Sequence, residues 1–148
     1  MRNTFKDTIT GLEKVFDSDI PKGSVVLVVG TEGTLKSTLV LNMLSNYLIN
    51  RAEHGLYITL EQAKDSHLKN MEGIGIRRAD SLEIFDYRDL RREWEDFEPD
   101  MVRMTEEILK FYEDKYRNLT VFALDSLNAL HALSEVENSR RSMYHFFS

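Results

Sequence analysis

The chain has 148 residues, of which 42% are hydrophobic and 30% charged, a composition that suits one soluble domain with a real core. Its formal net charge of −6 argues against a protein that coats nucleic acid through bulk electrostatics. With no cysteine, disulfides, thiolate catalysis and thiolate metal sites are excluded.

His54, His67, His131 and His145 show no H-x-x-x-H or H-E-x-x-H spacing and read as surface or packing residues. No apolar run approaches the roughly 20 residues of a membrane span. Met1 to Lys6 is polar and has no signal-peptide core, so a cytoplasmic location is expected.

In chain order, Thr4 to Phe16 reads as a short amphipathic segment with Phe5, Ile9, Leu12, Val15 and Phe16 on one face. Residues Asp17 to Gly23 form a turn cluster with Pro21 and Gly23. Ser24 to Val29 is apolar after its first residue, the pattern of a parallel strand buried on both faces. A loop, Gly30 to Leu35, leads into a helix predicted from Lys36 to Glu53, with Leu39, Met43, Leu44, Tyr47 and Leu48 packed on the sheet. His54-Gly55 is expected to stop that helix.

Leu56 to Leu60 reads as a second strand that ends at Glu61-Gln62. A helix from Ala63 to Met71 follows, and then a short edge strand, Leu82 to Asp86. Arg88 to Arg117 is charge-dense, and Pro99 divides it into two helical pieces. In the second piece Met101, Met104, Ile108, Leu109, Phe111 and Tyr112 recur at helical spacing. Trp94 and the neighbouring tyrosines read as core and rim packing, with an aromatic recognition patch as the alternative. Leu119 to Leu124 is the third main strand, with Asp125-Ser126 at its C-terminal end. Leu127 to Leu133 is a loop or short helix, and Ser134 to Glu137 resembles a capping box opening a last helix. Alternating strands and helices predict an α/β fold with a mainly parallel sheet flanked by helices, in a single domain spanning 1–148.

The loop carries the chemistry. Strand, Gly-containing loop and Lys-Ser at a helix start make the layout of a phosphate-binding P-loop. Glycine lets the backbone approach an anion, while loop N–H groups and the helix N-terminus supply positive potential. Gly30, Thr31, Glu32, Gly33, Thr34, Leu35, Lys36, Ser37 and Thr38 form the expected cradle. Lys36 would reach the β- and γ-phosphates, and the Ser37 hydroxyl would hold Mg2+. In the pattern G-x-x-x-x-G-K-[ST] the second glycine is Leu35 here, a strained residue if that position needs positive φ. The alternative is an ordinary βα turn that contains Lys-Ser.

Ligands of open α/β sheets sit beyond the carboxyl ends of the strands, where Glu61 and Asp125 also fall. Asp125 reads as a Walker B aspartate serving the metal, or as a cap on the next helix. Glu61 is the candidate general base for the attacking water, or a solvated loop-end carboxylate. Ser126 either orients a phosphate or water or satisfies local backbone groups.

The segments Thr10 to Glu13, Pro21 to Ser24, Gly30 to Ser37, Tyr57 to Gln62 and Leu124 to Leu127, in that order, resemble the KaiC-like branch of the RecA superfamily of ATPases. The resemblance implies a RecA-like core that binds ATP and Mg2+, often in rings or filaments with nucleotide between subunits. It gives Lys36 to phosphate, Ser37 and Asp125 to the metal, and Glu61 to water activation. Gln62 stands where such proteins commonly have a second glutamate. The family domain continues into further strands, one of them lying between the strand before the loop and the strand ending in Asp125, so either the chain is truncated at its C-terminus, or those two strands pair directly or borrow a neighbour. Arg140 and Arg141 read as ordinary arginines on an exposed helix, with substitution for a trans-acting basic residue as the alternative. The expected function is ATP binding with slow or assembly-dependent hydrolysis, in a homo-oligomer if the domain is complete. The alternatives are a nucleotide-binding regulatory or scaffold module without turnover, and a small-molecule phosphotransferase, which lacks its arginine-rich lid here.

Overall fold

Three apolar strands supply the frame on which everything else is placed. A computed structural model of the chain describes residues 5–31, 34–87 and 101–133. Two short 3₁₀ turns, Phe5–Asp7 and Leu12–Lys14, precede α1 (Lys36–Leu48), β1 (His54–Thr59), α2 (Lys64–Gly73) and β2 (Leu82–Asp86). After these come α3 (Met101–Lys115), β3 (Leu119–Asp125) and α4 (Leu127–Leu133). The sheet order is β2-β1-β3, and both pairings are parallel. The α/β architecture expected from the sequence is present.

Strand parity divides the sheet into two apolar faces. On one face Tyr57, Leu82 and Ile84 join Leu41, Leu44 and Leu48 of α1 and Met71 of α2. On the other, Leu56 and Ile58 join Val102 and Tyr112 of α3 and Leu130 of α4, with Phe122 and Leu124 packed alongside. Registers fix the last row of the sheet: Thr59 lies opposite both Asp86 and Asp125. Two carboxylates and a hydroxyl therefore line up at the carboxyl edge, on the side facing α1 and α2.

Helix α1 ends five residues before its expected limit, at Leu48. Asn50, at φ 66°, takes the left-handed conformation that closes many helices, so the stop comes from asparagine rather than from Gly55. Gly55 instead lies inside β1, where α1 and β3 approach closely. A Cβ there would stand 2.7 Å from Leu48 Cδ1 and 2.8 Å from Val121 Cγ2. The buried stripe of α1 is Leu41, Leu44, Ser45 and Leu48, while Leu39 is turned outward. In α3, Phe111 is likewise exposed, and the buried positions are Val102, Thr105 and Tyr112. From Phe5 onward, the segment expected to be amphipathic forms the two 3₁₀ turns, with Val15 exposed. It is held to α1 by a Phe5–Tyr47 stack at 4.2 Å and by Asn46 Nδ2 donating to Thr8 O at 2.7 Å.

The expected first strand is a correction. Ser24 to Val29 forms no strand, and Val25, Leu27 and Val29 are 71%, 69% and 80% exposed. A parallel strand that is apolar on both faces needs a hydrogen-bonding neighbour and two covering layers. Among the described residues β3 pairs only with β1, and no strand lies beside the 24–29 run. Trp94, the Pro99 division and the capping box at Ser134 fall outside the described residues.

Gly55→Ala is expected to destabilise the chain by about 1–3 kcal/mol, the usual cost of overpacking. Urea unfolding would measure it. An unchanged midpoint would show that Leu48 and Val121 yield freely.

Candidate functional site

The head of α1 leaves its first donors without a partner in their own helix. Its N-cap, Leu35, has no side chain able to accept a hydrogen bond, and the first helical bond runs from Leu39 N–H to Leu35 O at 2.9 Å. The amides of Lys36, Ser37 and Thr38 come before that bond, so they have no carbonyl of their own helix to pair with. Such an end attracts an anion through both its N–H groups and the helix dipole.

The loop before the helix is tight. A Cβ on Gly30 would meet Thr34 Oγ1 at 2.5 Å, so any larger residue there would have to displace the Thr34 hydroxyl. The Thr34 hydroxyl donates to Thr31 O at 2.7 Å. Lys36 folds back over this turn, its Nζ donating to Gly30 O at 2.7 Å and to Thr31 O at 3.0 Å. An ammonium has three protons, and these two bonds leave one for a further acceptor. Leu35 adopts φ 61°, ψ 32°, so the position that holds glycine in the full motif does take the left-handed conformation. Its side chain is exposed and gains little burial in return. Glu32 and Gly33 lie outside the described residues.

Asp125, 88 positions along the chain from Ser37, comes to the same place. Its Oδ2 accepts a hydrogen bond from Ser37 Oγ. The same oxygen accepts from the Tyr57 hydroxyl. Asp125 does not cap the helix that follows it. Ser126 does, its Oγ accepting from Ala129 N at 3.1 Å. The peptide bond between Asp125 and Ser126 is cis. Glu61 sits two residues beyond β1 at the same end of the sheet, exposed to solvent, and its carboxylate makes no hydrogen bond to a described residue. The preceding Leu60 N–H donates to Asp125 O at 2.7 Å, which ties the root of the Glu61 turn to β3. The structure thus joins Ser37 to Asp125 by direct contact, sets Lys36 on the same helix head and leaves Glu61 without a bond to any of them. Thr38 is half-buried in the first turn of α1.

Sequence reasoning missed the polar groups beneath this surface. Tyr57 and His67 are 1% and 2% exposed. His67 Nε2 lies 3.0 Å from Thr59 Oγ1 and 3.9 Å from Asp125 Oδ2. Thr59 spends its one proton on Gln62 O, so it accepts from His67, which fixes the proton on Nε2. Burial lowers the His67 pKa against the opposing pull of Asp125 and Asp86, which favours the neutral ring. Asp86 accepts from Lys64 N–H at 2.9 Å and so caps α2. The signal for this layer is parity: Tyr57, Thr59 and Asp125 share one face, but only the β1–β3 register shows it.

A parallel sheet with helices on both faces, and a glycine-containing loop that leads into Lys36-Ser37 at the head of α1, places the chain among α/β P-loop proteins. The family model for the KaiC ATPase matches residues 5–148, and the chain belongs to that family, in the RecA superfamily. Over 67 residues it is 30% identical to the "Circadian clock oscillator protein KaiC" of Parathermosynechococcus lividus, covering 45% of this chain and 12% of that relative. Against "Circadian clock protein KaiC3" of Synechocystis sp. it is 33% identical over 67 residues, 45% of this chain and 13% of the relative. These alignments therefore span only about an eighth of either relative's length. No solved structure gives a significant match. Among the described residues no helix is long and apolar enough to cross a membrane.

Leu35→Gly tests the strain at the loop. Releasing a left-handed leucine returns about 1–2 kcal/mol, and the freer glycine in the unfolded chain takes back roughly 0.5–1. The expected net is a small gain in urea stability. A loss of more than about 1 kcal/mol would contradict the strain argument.

Proposed function

We propose that the chain binds a magnesium nucleoside triphosphate, ATP by its family, at the head of α1. One observation carries the reading: Ser37 and Asp125, distant in sequence, place a hydroxyl and a carboxylate oxygen in direct contact. Two hard oxygen donors side by side fit Mg2+. In this reading Gly30 to Thr38 wrap the phosphates, the amides of Lys36, Ser37 and Thr38 bind phosphate oxygens, and the third proton of Lys36 adds a charged bond. Ser37 and Asp125 hold the metal, whose contribution is to neutralise phosphate charge. Glu61, solvated and flanking the site, takes the proton of the attacking water. The family resemblance extends the proposal to a homo-oligomer, ring or filament, in which hydrolysis is slow or depends on assembly.

A second reading is a nucleotide-binding module without turnover. What favours it is the left-handed Leu35 in the loop and the Glu61 carboxylate unattached to Asp125 or Ser37.

Calorimetric titration with Mg-ATP tests the binding claim. Lys36→Ala should weaken binding by about 10- to 100-fold, the worth of a charged hydrogen bond. An affinity unmoved by that change would remove the loop as the site. Turnover of the parent chain beside Glu61→Gln separates the two readings: a rate that falls supports the base, whereas equal non-zero rates exclude Glu61 from that role.

A further inference from the structure

We propose that Tyr57 is a positioning residue for the metal site, its buried hydroxyl holding the Asp125 carboxylate in the orientation that faces Ser37. The inference rests on the function proposed above. Tyr57 stands in the middle of β1, the central strand, with its ring among Leu41, Leu44 and Leu48 of α1 and Met71 of α2. The ring meets His67 edge-on at 5.5 Å. Phenylalanine would fill that space equally well, so packing does not account for the hydroxyl. A buried hydroxyl is costly unless it is bonded, and this one donates to Asp125 Oδ2.

The count of lone pairs gives the bond its consequence. Oδ2 accepts from Tyr57 and from Ser37, which uses both of its lone pairs and leaves Oδ1 outside these bonds. His67 does not compete, because its Nε2 proton goes to Thr59 and it stays 3.9 Å from Oδ2. If Ser37 serves the metal, Tyr57 is the donor that still fixes the carboxylate among the described residues. Its ring is locked by the core on both sides, so little freedom is lost in holding the acid. Partners behind a metal ligand commonly act in this way, orienting the ligand without touching the ion.

The test uses the whole chain, ADP as the probe and calorimetry with Mg2+ or with EDTA. In Tyr57→Phe, ADP affinity in EDTA should stay within about two-fold of the parent, while the affinity gained on adding Mg2+ should shrink on the order of 10-fold. A merely structural tyrosine would lower the melting temperature and leave that Mg2+ gain intact. In an Asp125→Asn background, Tyr57→Phe should remove nothing further, because the two act as a unit. A full Mg2+ gain in Tyr57→Phe, with Asp125→Asn abolishing it, overturns the role of Tyr57 alone. A full gain in Asp125→Asn and in Ser37→Ala overturns the metal site itself, and this inference with it. Should Tyr57→Phe fail to fold, fluorotyrosine labelling of the parent chain decides. The fluorine resonance of Tyr57 should move when Mg-ADP is added and hold still with ADP in EDTA. A resonance indifferent to Mg2+ overturns the proposal.

Discussion

One carboxylate oxygen, Asp125 Oδ2, ties the candidate site together. It accepts from the first turn of α1 through Ser37 and from the central strand through Tyr57. A shared acceptor is an economical way to fix the position of a helix head against a sheet edge, because either donor alone would leave the other element free to shift. The arrangement works only because β1 and β3 are parallel and in a register that puts Thr59 opposite Asp125. Slip that register by one residue and Asp125 would face α3 and α4 instead. The chemistry of the site thus depends on backbone pairing in the core.

The layer beneath the site explains why so many polar groups are tolerated there. Thr59, His67 and Asp86 are buried, yet each has a defined partner: Gln62 O for Thr59, Thr59 for His67 and the Lys64 amide for Asp86. Satisfied networks of this kind stiffen a structure, whereas a half-satisfied one would weaken it. The same bonds tie the turn after β1, which carries Glu61, to the helix that follows. Glu61 itself points into solvent from a well-anchored root. Nothing comparable holds Val25 to Val29, where a strongly apolar run lies exposed without a strand partner among the described residues.

Much of the frame was legible in the sequence. Period-two and unbroken apolar runs located β1, β2 and β3 to within two residues, and the Lys36 start of α1 followed from the loop motif. The errors share one cause. Val25 to Val29 has the composition of a buried strand, but strand formation depends on neighbours that local pattern cannot supply. Gly55 looked like a helix stop, while its actual reason, the approach of Leu48 and Val121, is tertiary. Of the site, Lys36, Ser37, Asp125 and Glu61 could be named from residue type and spacing. The direct Ser37–Asp125 contact and the supporting Tyr57 and His67 could not, because they follow from register and helix placement.

The most direct test of a shared site at the head of α1 and the end of β3 is a backbone amide NMR titration with Mg-ADP. The account predicts that Lys36, Ser37, Thr38 and the Asp125–Ser126 pair shift together and saturate with a single dissociation constant. Shifts at the loop with Asp125 and Ser126 unmoved, or shifts centred elsewhere, would contradict it.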